Sequence, residues 1–153
     1  MPSEDRQEWG EGPWQEEPDK VVWTDEATGL DCMAHRNHYG AWCGYVGVPP
    51  GHPFYERDYN DLLEIRVHGG LTYAARCDRE NDLCHVPEPG RPAEVWWFGF
   101  DCNHWFDLAP GMAAAKRRLG WPDAEKGEYR DLAYVKGQVQ RLAVQLEMVA
   151  RAH

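Results

Sequence analysis

Short runs of alternating hydrophobic and polar residues occupy the first two thirds of the chain, a pattern typical of half-buried β-strands. It predicts strands at residues 21–23, 30–36, 41–48, 63–67, 71–75 and 95–100. Turn-forming residues lie between these runs, and the prolines at 49–53 end a strand because proline has no amide hydrogen to donate. We expect 95–100, the most apolar run, to be a central strand. The segment 77–92 has three prolines and several charges, which predicts a loop.

The last part of the chain has the period of a helix instead. Its apolar residues are three or four positions apart, with Arg, Lys, Gln and Glu between them: Leu132, Val135, Val139, Leu142, Leu146 and Val149. This single apolar stripe predicts a helix that lies across one face of a sheet. A coiled-coil seam, and with it a homodimer, is the alternative, although Gly137 interrupts it. Strands followed by a terminal helix predict an α+β fold: a mainly antiparallel sheet of about five or six strands packed by a long C-terminal helix.

Charge divides the 153 residues into two regions. The chain has 26 acidic and 16 basic residues, and nine of the acids but only two of the bases lie in the first 30 positions. We therefore predict an acidic flexible N-terminal arm over 1–19 and a single α+β domain over 20–153, although Trp9 and Trp14 are unusual in such an arm. The body is nearly neutral and its one basic cluster is 116–118. Direct nucleic-acid binding is therefore not expected, since it needs a basic surface.

Several sequence features concern the compartment. No apolar run approaches the ~20 residues of a membrane-spanning helix, and the acidic N-terminus lacks the features of a signal peptide. We expect a cytoplasmic protein without membrane contact, in the host cell's cytoplasm if the protein is viral. Five cysteines form an odd set, and reduced, mostly buried thiols are the default there. A local Cys32–Cys43 bridge is the alternative.

Common catalytic motifs are absent. The only serine is Ser3, which argues against a serine-nucleophile hydrolase. The sequence has no phosphate-binding glycine loop, no dinucleotide fingerprint and no His-Glu-x-x-His motif, so ordinary nucleotide hydrolases, dinucleotide oxidoreductases and zinc proteases of that type are not expected.

Polar groups at predicted strand ends are the main candidates for a site. His68 ends one strand and precedes two glycines, and Asp101, His104 and Asp107 follow the most apolar strand at spacings of three. Two carboxylates and an imidazole suit a divalent metal, or an acid–base pair in which Asp orients His. The alternatives are a hydrogen-bonded histidine in a tight turn and an Asp helix cap. We expect His68 and Asp101 to contribute more to activity than to stability.

Two further groups have plausible ligand chemistry. The first offers four zinc ligands, although Cys32 and His35 would face opposite sides of a regular strand: Cys32, His35, His38 and Cys43. A second Cys/His set, Cys77, Cys84 and His85, brackets the charged loop without standard zinc-site spacing. His52 lies in a rigid proline-rich turn, which suits a binding loop and equally suits a simple turn.

Five motifs together resemble a family of small proteins of unassigned function from bacteriophage and bacterial genomes. The similarity covers roughly residues 41–146, and the motifs are Cys43–Pro49, Gly51–Tyr55, His68–Thr72, Trp96–His104 and Tyr129–Val135. The resemblance implies a viral or prophage accessory protein, such as an antagonist of host defence. It implies no catalytic role for any residue.

Three classes of function are consistent with these features. The leading one is a binding protein that holds a small polar ligand, such as a nucleotide-derived molecule, or docks on a host protein. Its concave face would be lined by Tyr45, His52, His68, Asp101 and His104. The second is a small metal-dependent hydrolase that uses Asp101, His104 and Asp107 together with His68 or His52. The third is an inhibitor or structural protein that acts through its surface.

Overall fold

A five-stranded antiparallel sheet and a long C-terminal helix form the body of the protein. The computed structural model describes residues 7–62, 64–76 and 95–152. The strands, in the spatial order β1-β2-β3-β5-β4, are Lys20–Thr24 (β1), Asp31–Arg36 (β2), Trp42–Val48 (β3), Tyr73–Arg76 (β4) and Trp96–Asp101 (β5). Each neighbouring pair is antiparallel. The predicted α+β class is confirmed, and β5 lies inside the sheet between β3 and β4.

The C-terminal helix, Leu132–Ala152 (α2), lies across β2 and β3. The middle of its predicted stripe is fully buried against strand residues such as Val46, Phe98 and Phe100; these helix positions are Val135, Val139, Leu142 and Leu146. Burial of this much apolar surface is the main force that holds a helix on a sheet. The approach is close at Gly44, where a Cβ atom would stand 2.5 Å from Phe100 and 2.6 Å from Val139.

The predicted strand at 63–67 is wrong over the described residues 64–67, which form no strand. This segment bonds to side chains of α2 instead of to a neighbouring strand. Gln145 accepts from the backbone N–H of Arg66 at 2.8 Å and donates to its carbonyl at 2.8 Å. Gln138 accepts from the N–H of His68 at 3.0 Å. Two glutamine amides thus satisfy backbone groups that a sheet ladder would otherwise satisfy. The expected loop at 77–92 lies outside the described residues.

A short helix, Pro110–Arg118 (α1), connects the end of β5 to the approach of α2. Proline at its first position is favourable there because that amide needs no helical partner. The basic triplet 116–118 forms its last turn, where positive charge is stabilised by the helix dipole. Two short 3-10 turns, Pro13–Gln15 and Tyr59–Asp61, complete the described elements. Within the described residues, no helix has the length and apolar character to cross a membrane.

The N-terminal segment differs from the expected free arm over the residues described, 7–19. Trp9 is 5% exposed and lies beside Gly40 and Pro110. The carboxylate of Glu17 accepts from the backbone N–H of Leu132 at 2.6 Å and pairs with Arg36 at 3.3 Å. An acid at a helix N-terminus is stabilised both by the orphan amide and by the helix dipole. The acidic composition of this segment therefore includes at least one carboxylate that anchors α2.

The described cysteines are all buried free thiols: Cys32, Cys43 and Cys102. Cys32 packs in the core under α2, whereas Cys43 belongs to the cluster that contains Met33 and Trp97 on the other face of the sheet. The bridge between Cys32 and Cys43, left open by the sequence, does not form. Burial raises the pKa of both thiols to about 12, so neither is a reactive thiolate at neutral pH.

Candidate functional site

A histidine and a buried carboxylate lie at the centre of the candidate site. His68 Nε2 is 2.8 and 2.9 Å from the two carboxylate oxygens of Asp107. The Asp107 side chain is 0% exposed and that of His68 is 5% exposed. The two residues are 39 positions apart in the sequence, and both are held near the start of α2. A backbone β-bridge joins Asp107 to Glu128 just before the helix begins, and the N–H of His68 bonds to Gln138 of the helix. An Asp–His pair therefore exists, but its histidine is His68 and not His104, the histidine expected from the 101–107 spacing.

Tyr134, in the first turns of α2, is the other partner of the imidazole. Its hydroxyl oxygen is 2.7 Å from His68 Nδ1. A carboxylate only accepts hydrogen bonds, so Nε2 carries the proton that is donated to Asp107. In the neutral ring Nδ1 is then an acceptor, and the Tyr134 hydroxyl donates to it. Burial raises the pKa of the Tyr134 phenol, and the nearby charge of Arg130 opposes that effect.

Asp107 is held by two further donors. Arg130 Nε donates to one carboxylate oxygen at 2.9 Å, and the backbone N–H of His104 donates to the other at 3.1 Å. The hydrogen bond to Asp107 raises the pKa of Arg130. A buried carboxylate needs this degree of compensation, because desolvation of an unpaired charge is costly. The three donors, His68 Nε2, Arg130 Nε and the backbone N–H of His104, fix the orientation of Asp107 and, through it, the tautomer of His68.

The side chains of His104 and Asp101 lie beside this pair without joining its hydrogen bonds. The His104 ring centroid is 5.9 Å from that of His68, and its Nε2 is 3.5 Å from Asp101 Oδ1. Gly69 adopts φ +68°, and a Cβ atom there would stand 2.1 Å from His104 Nε2. Any side chain at 69 would displace the ring. The glycine after His68 thus permits close approach, as the sequence suggested.

A cleft of about 450 Å³ opens next to His68 and Tyr134, between the 64–70 segment and α2. Its lining residues are Ile65, Arg66, Val67, His68, Gly70, Tyr134, Gln138 and Arg141. The hydrogen bonds from Gln138 and Gln145 to the 64–70 segment hold the cleft's two walls together. The imidazole and the phenol therefore border a space large enough for a small molecule.

Two arginines of this cleft differ from the rest. Arg66 and Arg141 form no ion pair with any carboxylate of the described residues. All other arginines in those ranges have a carboxylate partner: Arg36, Arg57, Arg76, Arg117, Arg118, Arg130 and Arg151. In a chain of net charge −10, two unpaired guanidinium groups in one cleft form a local positive site.

Tyr45 and Asp101, two of the predicted lining residues, are near a different depression. This one has a volume of about 390 Å³ and is lined by Asn37, Cys43, Tyr45, Thr72, Tyr73, Phe100, Asp101 and Asn103. Asp101 accepts from the Thr72 hydroxyl at 3.1 Å and from the backbone N–H of Asn103 at 3.0 Å. Burial raises the pKa of Tyr45 far above its usual range. The structure therefore separates these two residues from the cleft that contains His68.

His52 lies at the opposite end of α2. Its Nε2 donates to the carbonyl of Leu146 at 2.8 Å, and its Nδ1 accepts from the backbone N–H of Phe54 at 3.0 Å. Leu146 follows Gln138 by eight positions, about two helical turns. Burial lowers the pKa of the His52 imidazole. Both nitrogens are occupied by backbone groups, and the structure does not bring His52 to the cleft.

Metal ligation has no geometric support among the residues described. In residues 7–62, 64–76 and 95–152, no three His, Cys, Asp or Glu side chains are grouped so that they could hold a metal ion. Asp107 is oriented by donors rather than left open to a cation. Cys32 and Cys43 of the proposed zinc set lie on opposite faces of the sheet. The second set, at 77, 84 and 85, lies outside the described ranges.

Three residues that line the cleft, Arg66, Tyr134 and Arg141, were not identified from sequence. Neither was Arg130, which donates to Asp107. Arg130 precedes α2 by two positions, and its guanidinium carbon is 5.1 Å from the ring centroid of Tyr134. Because Arg130 lies outside the helix, the spacing of helical side chains could not have predicted this contact. The unpaired state of Arg66 and Arg141 has no sequence signature.

No protein-family model matches the chain, and searches of curated proteins and of solved structures find no match.

Proposed function

We propose that the protein binds a small anionic ligand in the cleft between the 64–70 segment and α2. The observation that carries this proposal is the pairing pattern of the arginines. Arg66 and Arg141 are the two described arginines without a carboxylate partner, and both line this cleft. Guanidinium groups bind phosphate and carboxylate oxygens through two parallel hydrogen bonds.

Charge supports the same ligand class. The protein as a whole is acidic, with a net charge of −10, so it repels anions except where positive charge is concentrated. The two arginines and the side-chain amide of Gln138 supply donors on both walls of the cleft. The volume of about 450 Å³ admits a mononucleotide-sized molecule. This proposal narrows the small polar ligand expected from sequence to one that carries phosphate or carboxylate.

Isothermal titration calorimetry with inorganic pyrophosphate, AMP and adenosine tests the proposal. We expect the two anions to bind and the neutral nucleoside to bind far more weakly. Substitution of Arg66→Ala and Arg141→Ala together should weaken anion binding by about tenfold for each guanidinium removed. Added salt should weaken it as well.

The matched control is Arg57→Ala with Arg151→Ala. These two arginines are exposed and have carboxylate partners, Asp61 and Glu147, and their removal changes the net charge by the same amount. The control variant should keep the affinity of the parent. If neither anion binds, or if both double variants lose affinity equally, the proposed site is incorrect.

An action through the surface is the second candidate, and exposed tryptophan favours it. Trp105 is 86% exposed and Trp121 is 58% exposed. Large apolar groups are uncommon at this exposure unless they contact another molecule. Such a function would suit the accessory role implied by the resemblance to phage and bacterial proteins. Comparison of host proteins captured by the parent and by Trp105→Ser would test it, and identical captured sets would argue against it.

A further inference from the structure

The cleft contains a chain of three groups that can move a proton. Asp107 accepts from His68 Nε2, and His68 Nδ1 accepts from the Tyr134 hydroxyl at 2.7 Å. The order of carboxylate, imidazole and hydroxyl is the arrangement by which proteins activate a hydroxyl as a nucleophile. The acid end is buried, whereas Tyr134 lines the cleft. The Tyr134 phenol is therefore open to a ligand held by the arginines.

We propose that Tyr134 is a nucleophile activated by His68, and that the cleft transfers a phosphoryl group from a phosphate ester or anhydride. This inference extends the proposed anion binding to a reaction. Tyr134 would be the catalytic residue and His68 its base, while Asp107 would be a positioning residue that keeps the proton on Nε2.

The step balances without a metal or a redox partner. A lone pair of the Tyr134 oxygen attacks phosphorus, and the phenol proton passes to His68 Nδ1. The bond from phosphorus to the leaving oxygen breaks, and that oxygen keeps the electron pair and receives the proton from His68. Water then attacks the phosphotyrosine, gives its proton to His68, and releases inorganic phosphate as Tyr134 regains a proton.

Several features of the cleft suit this chemistry. A phenol with a raised pKa is protonated at neutral pH, so it requires a base in contact with it. The positive charge that forms on His68 is stabilised by the buried Asp107 carboxylate. Arg66 and Arg141 are positioned to hold the phosphate oxygens, where they would offset the charge that builds up in transfer.

Covalent labelling with an uncharged reagent, benzenesulfonyl fluoride, tests the nucleophile separately from anion binding. Sulfonyl transfer to a tyrosine oxygen releases fluoride, and peptide mass spectrometry gives the rate at each tyrosine. Tyr55 and Tyr59 are half-buried like Tyr134 and serve as internal references. We expect Tyr134 to be labelled at least about tenfold faster than either reference. His68→Gln should lower the labelling rate of Tyr134 by about 100-fold or more. Equal rates at the three tyrosines in the parent protein would overturn the proposal, even if the His68 variant fails to fold.

Orthovanadate, which adopts the geometry of a phosphoryl group in transfer, tests the substrate class. It should slow labelling of Tyr134 in the parent and leave the rate unchanged in the Arg66→Ala, Arg141→Ala variant. Fast labelling without protection by vanadate would support the nucleophile and overturn the phosphoryl substrate. Fast labelling in a protein that binds neither pyrophosphate nor AMP would contradict the proposed anion site and leave the activated tyrosine standing.

Discussion

His52 and His68 are both buried histidines packed against α2, and both have partners at each ring nitrogen. His52 is 8% exposed and His68 is 9% exposed. The partners of His52 are a backbone carbonyl and a backbone N–H. Those of His68 are the side chains of Asp107 and Tyr134. The same residue type, at similar burial, therefore occupies two different chemical environments along one helix.

The different hydrogen-bond partners indicate a structural role for His52 and a chemical role for His68. Backbone carbonyl and N–H groups do not ionise at ordinary pH, so the two hydrogen bonds of His52 tie the proline-rich turn to α2. A carboxylate and a phenol can stabilise or share a proton, so His68 can pass one to the cleft. Burial alone is a poor guide to function, and the identity of the hydrogen-bond partners is a better one.

The largest expected effect on stability comes from removal of the Asp107 carboxylate, which accepts from His68. Asp107→Ala leaves Arg130, the His68 Nε2–H and the amide of His104 without their acceptor. We expect a loss of about 3–5 kcal/mol in the free energy of unfolding, measured in urea. Asp101→Ala is the control, because Asp101 is partly exposed and should cost about 1 kcal/mol. Equal losses at the two positions would show that Asp107 is not the organising acid.

Asp107→Asn separates positioning from stability. The amide retains the size of the acid but can neither balance a positive charge on His68 nor fix its tautomer. Where this variant remains folded, the labelling rate at Tyr134 should fall while pyrophosphate affinity stays near that of the parent. An unchanged labelling rate would leave Asp107 with a structural role alone.

Substitution of His52 should have an effect of intermediate size, and this effect should be on stability alone. His52→Ala removes two hydrogen bonds and leaves the Leu146 carbonyl and the Phe54 amide unsatisfied. The free energy of unfolding should fall by about 2 kcal/mol. Pyrophosphate affinity and the Tyr134 labelling rate, measured on the folded variant, should match the parent. A loss of anion affinity in His52→Ala would show that His52 also contributes to the anion site, contrary to the purely structural role assigned to it.

Tyr134→Phe should give the opposite result on the His68 side. Only the hydroxyl is lost, so stability should fall by about 1 kcal/mol, as measured by urea unfolding. Labelling at position 134 disappears by definition, and the informative measurement is binding. Pyrophosphate affinity should fall less than in the Arg66→Ala, Arg141→Ala variant, since the arginines supply most of the attraction. A greater loss would make the phenol the main binding group.

The smallest effect is the pH dependence that His52 contributes. Burial lowers the pKa of His52 in the folded protein, whereas the unfolded chain takes up a proton near the usual value of about 6.5. The contribution is present above that value and is lost as the pH falls through it, because the unfolded state binds more protons. Between pH 7 and pH 6 this amounts to about 0.7 kcal/mol at most. Comparison of the parent with His52→Gln isolates it, and parallel curves would contradict it.

The sequence was sufficient for the fold class and for most of the elements. The three- and four-residue spacing from Leu132 to Val149 predicted α2, and it agrees with Leu132–Ala152 because the buried stripe is a local property of a helix. Apolar runs bounded by turn residues located all five strands of the sheet for the same reason. The pattern at 63–67 was misleading. Its alternation is equally compatible with a strand and with a segment whose backbone bonds to Gln138 and Gln145.

The candidate site could be predicted only in part. His68 was identified from its position before two glycines, and Asp107 from its spacing after β5. Their pairing could not be foreseen, because it depends on the path of the chain between β5 and α2 and not on any local spacing. The same limit applied to His52, whose partner carbonyl at Leu146 is 94 positions away.

Tertiary structure alone decided which charges are left without partners. Composition shows twelve arginines among 26 acids, a balance from which every arginine would be expected to find a carboxylate. The fold pairs most of the described ones and leaves Arg66 and Arg141 together in one cleft. It also turns Glu17 inward to the start of α2, where composition suggested only a hydrated acidic arm. Hydrophobic periodicity is a local property that can be read directly from the sequence. Charge pairing depends on distances between segments remote in sequence, which only the folded chain defines.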